Sequence, residues 1–250
     1  MKRGALIMLS LALIWVIANL PAGLIRFFID EQQLAVVAPQ GTLWNGSATL
    51  VSNLGLQGRS HWQTSLFQSG TLQPGLALHI THDSSDLRAL AQIGFSSTKV
   101  TLSGTIAASS LRPLLERYDL FLTGQFKLSE SVWNLQSDGF QLEDPTTLEW
   151  NGGPIRYILA NTLYTATMPP LEARISNEED GQLDAAVFFA EGTSVEFNRT
   201  ESEPPLLLLR LALGGSVYVG VSRGMLGLAN FPWQGDEADG TLIFEIERSL

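Results

Sequence analysis

The sequence predicts a mainly β protein: an N-terminal single transmembrane helix followed by a curved antiparallel β-sheet domain with one or two short helices. Three observations carry this. An uncharged apolar stretch opens the chain, runs of alternating apolar and polar residues fill the rest, and glycine, 23 of 250 residues, recurs where strands would turn or bend. Hydrophobic residues make up 45% of the chain, enough for one large domain or two small ones. The organisation read is 1–29 as a tip and transmembrane anchor and 30–250 as the β-rich domain. A division of that domain into two similar halves, about 30–125 and 126–250, stays open.

The anchor is read from Gly4 to Ile25, "GALIMLSLALIWVIANLPAGLI", with Ala5, Leu13, Trp15 and Ile25 along it. Its 22 residues would rise about 33 Å as a helix, against a hydrocarbon core of about 30 Å. Lys2 and Arg3 precede it, which places the N-terminus in the cytoplasm and the chain beyond Arg26 outside. A cleaved signal peptide would have a shorter apolar run and small residues at the cleavage site, where this chain has Asn19, Leu20 and Pro21. The uncleaved anchor is therefore the reading. Pro21 is expected near the outer end, where interfacial water can take the carbonyl it frees.

Beyond the anchor the pattern has period 2. "VTLSGTIAA" sets Val100, Leu102 and Ile106 on one face, with Gly104 in the same row, and "LTGQFKL" does so with Leu122, Gly124, Phe126 and Leu128. "QLDAAVFF" aligns Leu183, Ala185, Val187 and Phe189; "GTLIFEIE" aligns Leu242, Phe244 and Ile246. Such alternation, punctuated by Gly, Asn, Asp and Pro, reads as antiparallel strands with one buried face. The repeated L-x-G opening of strands, as in "LQGRSHW", marks bulges or close backbone approach and so suggests curvature.

Helical signals are few. "SSLRPLLERYD" offers Ser110 as an N-cap, with Leu111, Leu114, Leu115 and Tyr118 on one face. "DSSDLRALAQIG" offers a second helix, capped by Ser85 or Asp86 and ended by Gly94. "EPPLLLLRLALGGSVYVGV" fits either a helix or a hairpin about Gly214-Gly215. The alternating Val217, Val219 and Val221 favour the hairpin. Asn45-Gly46, in "QGTLWNGSATL", is the preferred pair for a type I′ turn, entered by Thr42, Leu43 and Trp44. "TLEWNGGPI" at 147–155 echoes that segment, which chance or shared turn chemistry explains more simply than two repeated halves.

Several motifs resemble chemistry without completing it. "GVSRG" matches the nucleophile elbow G-x-S-x-G at Ser222, but His61, His79 and His82 all lie upstream, where the hydrolase order needs one downstream. In "HITHD", His79 and His82 would point to opposite faces of a strand and would not converge on a metal. "DEAD" at 236–239 lacks the phosphate-binding loop of helicases, and "NEEDGQLD" places Val187 where a calcium loop needs a bidentate Glu. The expected catalytic, cofactor-binding and metal-ligating residues are none. A formal charge of −10 and a pI near 4.7 disfavour nucleic acid as a partner. With no cysteine there is no disulfide or thiolate chemistry, while an oxidising compartment stays permissible.

Leu20, Pro21 and Ala22, followed by Gly41, Thr42, Leu43, Trp44 and Gly46, resemble protein N of the bacterial type II secretion system. "LRPLLERYDLFLTGQFKL", "WNGGPIRYIL" and "MPPLEARI" extend the likeness over most of the chain. The resemblance implies a single-pass inner-membrane protein of Gram-negative bacteria, N-terminus cytoplasmic and bulk periplasmic. It further implies a part in exporting folded proteins through contacts with other secretion-system subunits, without catalytic residues or cofactors. The family also looks related to AsmA-like proteins, whose curved sheets can enclose an apolar groove associated with phospholipid. Two expectations follow. An assembly scaffold buries its apolar sheet face under a second layer, whereas a lipid-binding or lipid-transfer module leaves that face open.

Overall fold

The structure, a computed structural model, describes residues 15–29, 32–65, 74–136, 139–178, 182–191, 204–212 and 216–249. Among them the chain is mainly β, with antiparallel strands and a few short helices. Strands β1 (Leu34–Gly41), β2 (Asn45–Ser52), β3 (Gln57–Ser65), β4 (Gly75–His82), β5 (Ser85–Ile93) and β6 (Thr98–Ala107) follow one another as hairpins. Then come β7 (Leu120–Leu122), β8 (Gln125–Gln136), β9 (Gly139–Leu142), β10 (Thr146–Trp150), β11 (Gly153–Leu159) and β12 (Thr162–Met168). The last are β13 (Leu171–Asn177), β14 (Leu183–Phe189), β15 (Leu207–Leu211), β16 (Ser216–Ser222) and β17 (Leu242–Ser249). A 14-stranded sheet runs β1-β2-β3-β4-β5-β6-β8-β10-β13-β14-β15-β16-β17, with β9 beside β8; β12-β11-β7 form a second, small sheet. β6 pairs directly with β8, so the large sheet crosses the boundary drawn at residues 125/126 without interruption.

The registers give this sheet two unlike faces. Directly opposed residues share a face, so Trp62, Leu78, Ala89, Leu102 and Ser131 fall in one row across β3, β4, β5, β6 and β8. That row's face is apolar along nearly every strand and continues through Leu148, Ala173, Val187, Leu207 and Val221. The opposite face carries Arg59, His61, Arg88, Lys127, Glu149 and Arg174. Period-2 alternation thus sorts the side chains as the sequence pattern predicts at 100–106, 183–189 and 217–221.

Four local expectations are corrected. Ser85–Ile93 is strand β5, not a helix: pairing with β4 on one side and β6 on the other outweighs an Ala/Leu-rich local preference for helix. Ser85 caps nothing; its Oγ accepts from the Ala107 amide at 2.9 Å and lies 2.8 Å from Ser110 Oγ. Ser110 in turn is not an N-cap, although Ala108–Tyr118 is helical as a chain of short 3₁₀ and α segments, with Tyr118 exposed on it. "LTGQFKL" is not one strand, because Gly124, at φ +88°, turns the chain from β7 in the small sheet into β8 in the large one.

The fourth correction concerns Asn45-Gly46, which is not the tip of the first hairpin. Gly41 pairs with Gly46, so the tip is Thr42 to Asn45. Gly41 supplies the left-handed φ of +85°. Gly46 has another role: a Cβ there would sit 2.4 Å from Cζ2 of Trp62, so glycine makes room for the indole. Elsewhere expectation and structure agree. Gly104 marks a register shift in the β6–β8 pairing, and β15 pairs antiparallel with β16 as the hairpin reading expects, with Gly214-Gly215 outside the described residues.

The anchor lies largely outside the described residues, Ala5 and Leu13 included. Residues 15–18 are helical and Trp15 is 68% exposed. The chain then leaves the helix: Pro21 bridges to Thr42, and Ala22–Phe28 form a 3₁₀ helix packed on β1 and β2. Ile25 therefore packs against the sheet instead of extending a continuous apolar helix. Pro21 has no amide hydrogen and its ring clashes with the carbonyl four residues back, which ends the helix. Among the described residues no helix is long and apolar enough to cross a membrane.

Candidate functional site

Two features concentrate what the described residues offer: the hairpin tip that receives the N-terminal segment, and the apolar face of the large sheet.

The tip is built from the residues singled out at 41–46. The Thr42 amide donates to the Asn45 carbonyl at 2.8 Å, and Thr42 Oγ1 accepts from the Asn45 amide at 3.1 Å, which closes the loop. So shaped, the loop turns two donors outward to the incoming chain. The Leu43 amide donates to the Leu20 carbonyl at 2.8 Å, and Trp44 Nε1 donates to the Ile17 carbonyl at 2.7 Å. Ile17 is four residues before Pro21, so its carbonyl is the one that proline deprives of a helical partner. The sequence suggests interfacial water for that carbonyl; here it accepts from the Trp44 indole at 2.7 Å and from the Leu20 amide at 3.3 Å.

Residues outside the motif hold the loop from behind. The Leu43 carbonyl accepts from Trp62 Nε1 at 3.2 Å, and the Trp44 carbonyl accepts from the Thr64 amide at 2.7 Å and from its hydroxyl at 3.1 Å. Arg26 Nε donates to the Val36 carbonyl at 3.1 Å. Ala22, 1% exposed, is buried with Val36, Ala48 and Trp62. Nothing in the sequence marks Trp62, Thr64 or Arg26 as part of this tip. The one available clue was Trp62 in strand alternation, opposite a glycine.

The echo at 150–152 does different work. Trp150, 7% exposed, donates Nε1 to the Thr123 carbonyl at 2.8 Å and stacks on Phe126 with ring centroids 5.9 Å apart. Asn151 Oδ1 accepts from the Gln125 amide at 2.8 Å, and Gly152, at φ +75°, turns the chain from the large sheet to the small one. The two Trp-Asn-Gly segments are not equivalent turns.

The apolar face is fully buried at two places. Near β1 to β3 the cover is the 3₁₀ helix with Ala22, Ile25 and Ile29. Towards the other end, Trp150, Leu171, Phe189 and Leu206 are buried with Ile155, Ala166 and Met168 of the small sheet, and with Met225 and Leu228 of the helix Arg223–Leu228. Between those places Leu87, Val100, Leu102, Leu128 and Trp133 are only half-buried.

The motifs that resembled chemistry take structural places. Ser222 is fully buried at the end of β16 and caps the helix Arg223–Leu228, its Oγ accepting from the Met225 amide. His79 faces the polar side beside His61 and Arg88, in a shallow cavity of about 360 Å³, with Nε2 3.1 Å from Asp86 Oδ2. That close approach of His79 is the main cause holding the Asp86 carboxyl below its ordinary value. His82 falls on the opposite face, next to Asp83. Among the described residues no group of three or more His, Asp or Glu could hold a metal ion. Glu237 and Asp239 of the acidic stretch before β17 accept from Trp233 Nε1 and Arg223.

Compared with protein-family profiles, with characterised proteins and with solved structures, the chain shows no match.

Proposed function

We propose that this protein is a non-enzymatic component of a type II secretion system, anchored in the inner membrane by its N-terminal segment. Its β-domain is periplasmic and acts through contacts with other secretion-system subunits. One observation carries the reading. Leu20, Pro21, Gly41, Thr42, Leu43, Trp44 and Gly46, on which the family resemblance rests, meet at a single place, where the hairpin tip grips the N-terminal segment. A tether held at several points sets the sheet at a defined attitude to whatever holds the helix, as a scaffold requires and a freely swinging domain does not.

Two experiments on living cells test this. A reporter fused after Leu250 is expected to be active in the periplasm and silent in the cytoplasm; the reverse contradicts the orientation. Cells carrying Trp44→Ala are expected to accumulate folded export substrate in the periplasm. Undiminished export, with the variant present at normal levels, counts against a secretion role.

The half-buried apolar face between the two buried clusters favours a second reading, an AsmA-like lipid-binding or lipid-transfer module in which the sheet curves around acyl chains. Native mass spectrometry with lipid extraction separates the two. Phospholipid near one per chain, lost in Leu102→Glu with the β-sheet circular dichroism intact, supports the module; a lipid-free, folded protein supports the scaffold.

A further inference from the structure

The two outer strands of the large sheet are finished differently, and the difference marks an interaction surface. β1 is blunted as free edges usually are. Ala38 has φ +50°, Pro39 lacks a donor, the register shifts between Val37 and Gln40, and Arg26 takes the Val36 carbonyl. β17 has a single irregularity, at its start, where Ile243 is an extra residue between Leu242 and Phe244; from Phe244 onward its register is unbroken. Among the described residues it pairs only with β16, contains no proline, and has no residue at positive φ.

Its side chains are also exposed in an ordered way. Phe244 and Ile246 lie on the apolar face, 38% and 53% exposed, while Glu245 and Glu247 lie on the polar face. The apolar side continues inward through aromatic rings. Phe244 meets Phe231 at 5.9 Å and Trp233 at 5.8 Å, and Phe231 meets Tyr164 of β12 at 5.9 Å. Hydrogen bonds fasten that connection: Tyr157 Oη donates to the Ala229 carbonyl, and Asn230 Nδ2 to the Thr165 carbonyl. Arg248, past Ile246 on the same face, ends the apolar stretch.

We propose that β17 is a docking edge for an extended segment of a partner protein that alternates apolar residues with lysine or arginine and joins the sheet as a further strand. Main-chain hydrogen bonds would supply the pairing, and the alternation its specificity. Apolar side chains of the incoming strand would lie beside Phe244 and Ile246 and reach the Phe231 and Trp233 rings. Its basic side chains would lie beside Glu245 and Glu247. A second copy of this chain fits poorly. Antiparallel self-pairing that keeps the apolar faces together and centres on 245, 246 or 247 opposes Glu245 or Glu247 to a glutamate, and like charges directly opposite are unfavourable. The blunted β1 edge cannot complete a head-to-tail array. This surface does not depend on the identity proposed for the N-terminal end.

The test uses the full chain in detergent micelles and three fluorescein-labelled eight-residue peptides: alternating valine and lysine, its scrambled isomer, and alternating valine and glutamate. The valine–lysine peptide is expected to bind at least about tenfold tighter than either control and to slow hydrogen exchange of the amides at 242–249. Glu245→Lys with Glu247→Lys is expected to reverse the preference towards the valine–glutamate peptide. Glu247→Lys alone, which leaves the Tyr218–Glu245 hydrogen bond in place, is expected to weaken valine–lysine binding about threefold or more. Equal binding of the scrambled peptide, binding without protection of β17, or an unchanged preference in a folded charge-swapped variant overturns the proposal. So does sedimentation as a dimer that Ile246→Glu dissolves, which would make a second copy the occupant.

Discussion

The two ends of the large sheet solve the same problem by opposite means. At the β1 end the chain supplies its own cover: Ala22 and Ile25 fold back onto Val36, Ala48 and Trp62, and the hairpin tip grips Ile17 and Leu20. At the far end a second sheet and a short helix bury Trp150, Leu171 and Phe189, yet among the described residues the outermost strand pairs on one side only. Thirteen strands in series cannot be buried by one compact layer, and the covering elements sit towards the ends. One end is closed by a segment leading to the N-terminus, and the other, among the described residues, keeps a free edge.

The largest effects should come from emptying either cluster. Trp62→Ala and Trp150→Ala are each expected to cost about 3–5 kcal/mol, read from urea unfolding. Hydrogen exchange separates them: Trp62→Ala should loosen β1 to β3 and spare β13 to β15, and Trp150→Ala the reverse. Uniform loosening in both would mean that the two clusters are one core.

A smaller change sharpens the role of the hairpin. Gly46→Ala pushes a Cβ against the Trp62 ring and within 2.7 Å of the Gln40 carbonyl, so a loss of about 1–3 kcal/mol is expected. Gly23→Ala, where nothing lies within 4 Å, should change stability by less than about 0.5 kcal/mol. Equal effects would deny Gly46 its place under the indole.

Titration gives the smallest effects, one in each half. Asp86 has a depressed folded value, so its contribution is complete above the unfolded pKa of about 3.9 and is lost as pH falls through the lower folded value. Tyr218, beside β17, has a raised value, chiefly because its hydroxyl donates to Glu245. Its contribution is complete below the unfolded pKa of about 10 and is lost as pH rises through the folded value. Both groups are only partly buried, so the readout is the NMR titration midpoint. His79→Ala should move the Asp86 midpoint up, and Glu245→Gln should move that of Tyr218 down. A midpoint that does not move removes the partner named as its cause.

Much of this fold was legible because strand alternation is local: the rows at 100–106, 183–189 and 217–221 could be read from spacing alone. Ser85–Ile93 is ambiguous in the sequence: Leu87, Ala89, Ala91 and Ile93 alternate, but Leu90 and two alanines also suit a helix, and only pairing on both sides decides. The break at Gly124 was hidden because the apolar row continues through it into a different sheet. The hairpin tip was noticed for its Asn-Gly pair, while its work lies in donors of Leu43 and Trp44 to carbonyls far back in the chain. No spacing rule predicts a bond between residues 44 and 17. The same holds for Trp62, which looked like any apolar strand residue until its glycine partner was placed beneath it.

The central claim is that the N-terminal segment is clasped to the sheet through the Trp44 indole. The most direct measurement is hydrogen exchange on the full chain in lipid nanodiscs, wild type against Trp44→Phe, which keeps the ring but removes the donor. In the wild type the amides of 18–25 are expected to exchange slowly, together with those of β1 and β2. In the variant they should exchange at least about fivefold faster, as loss of one hydrogen bond worth about 1 kcal/mol requires, while β13 to β16 are unchanged. Fast exchange at 18–25 in the wild type, or identical exchange in the two proteins, would contradict it.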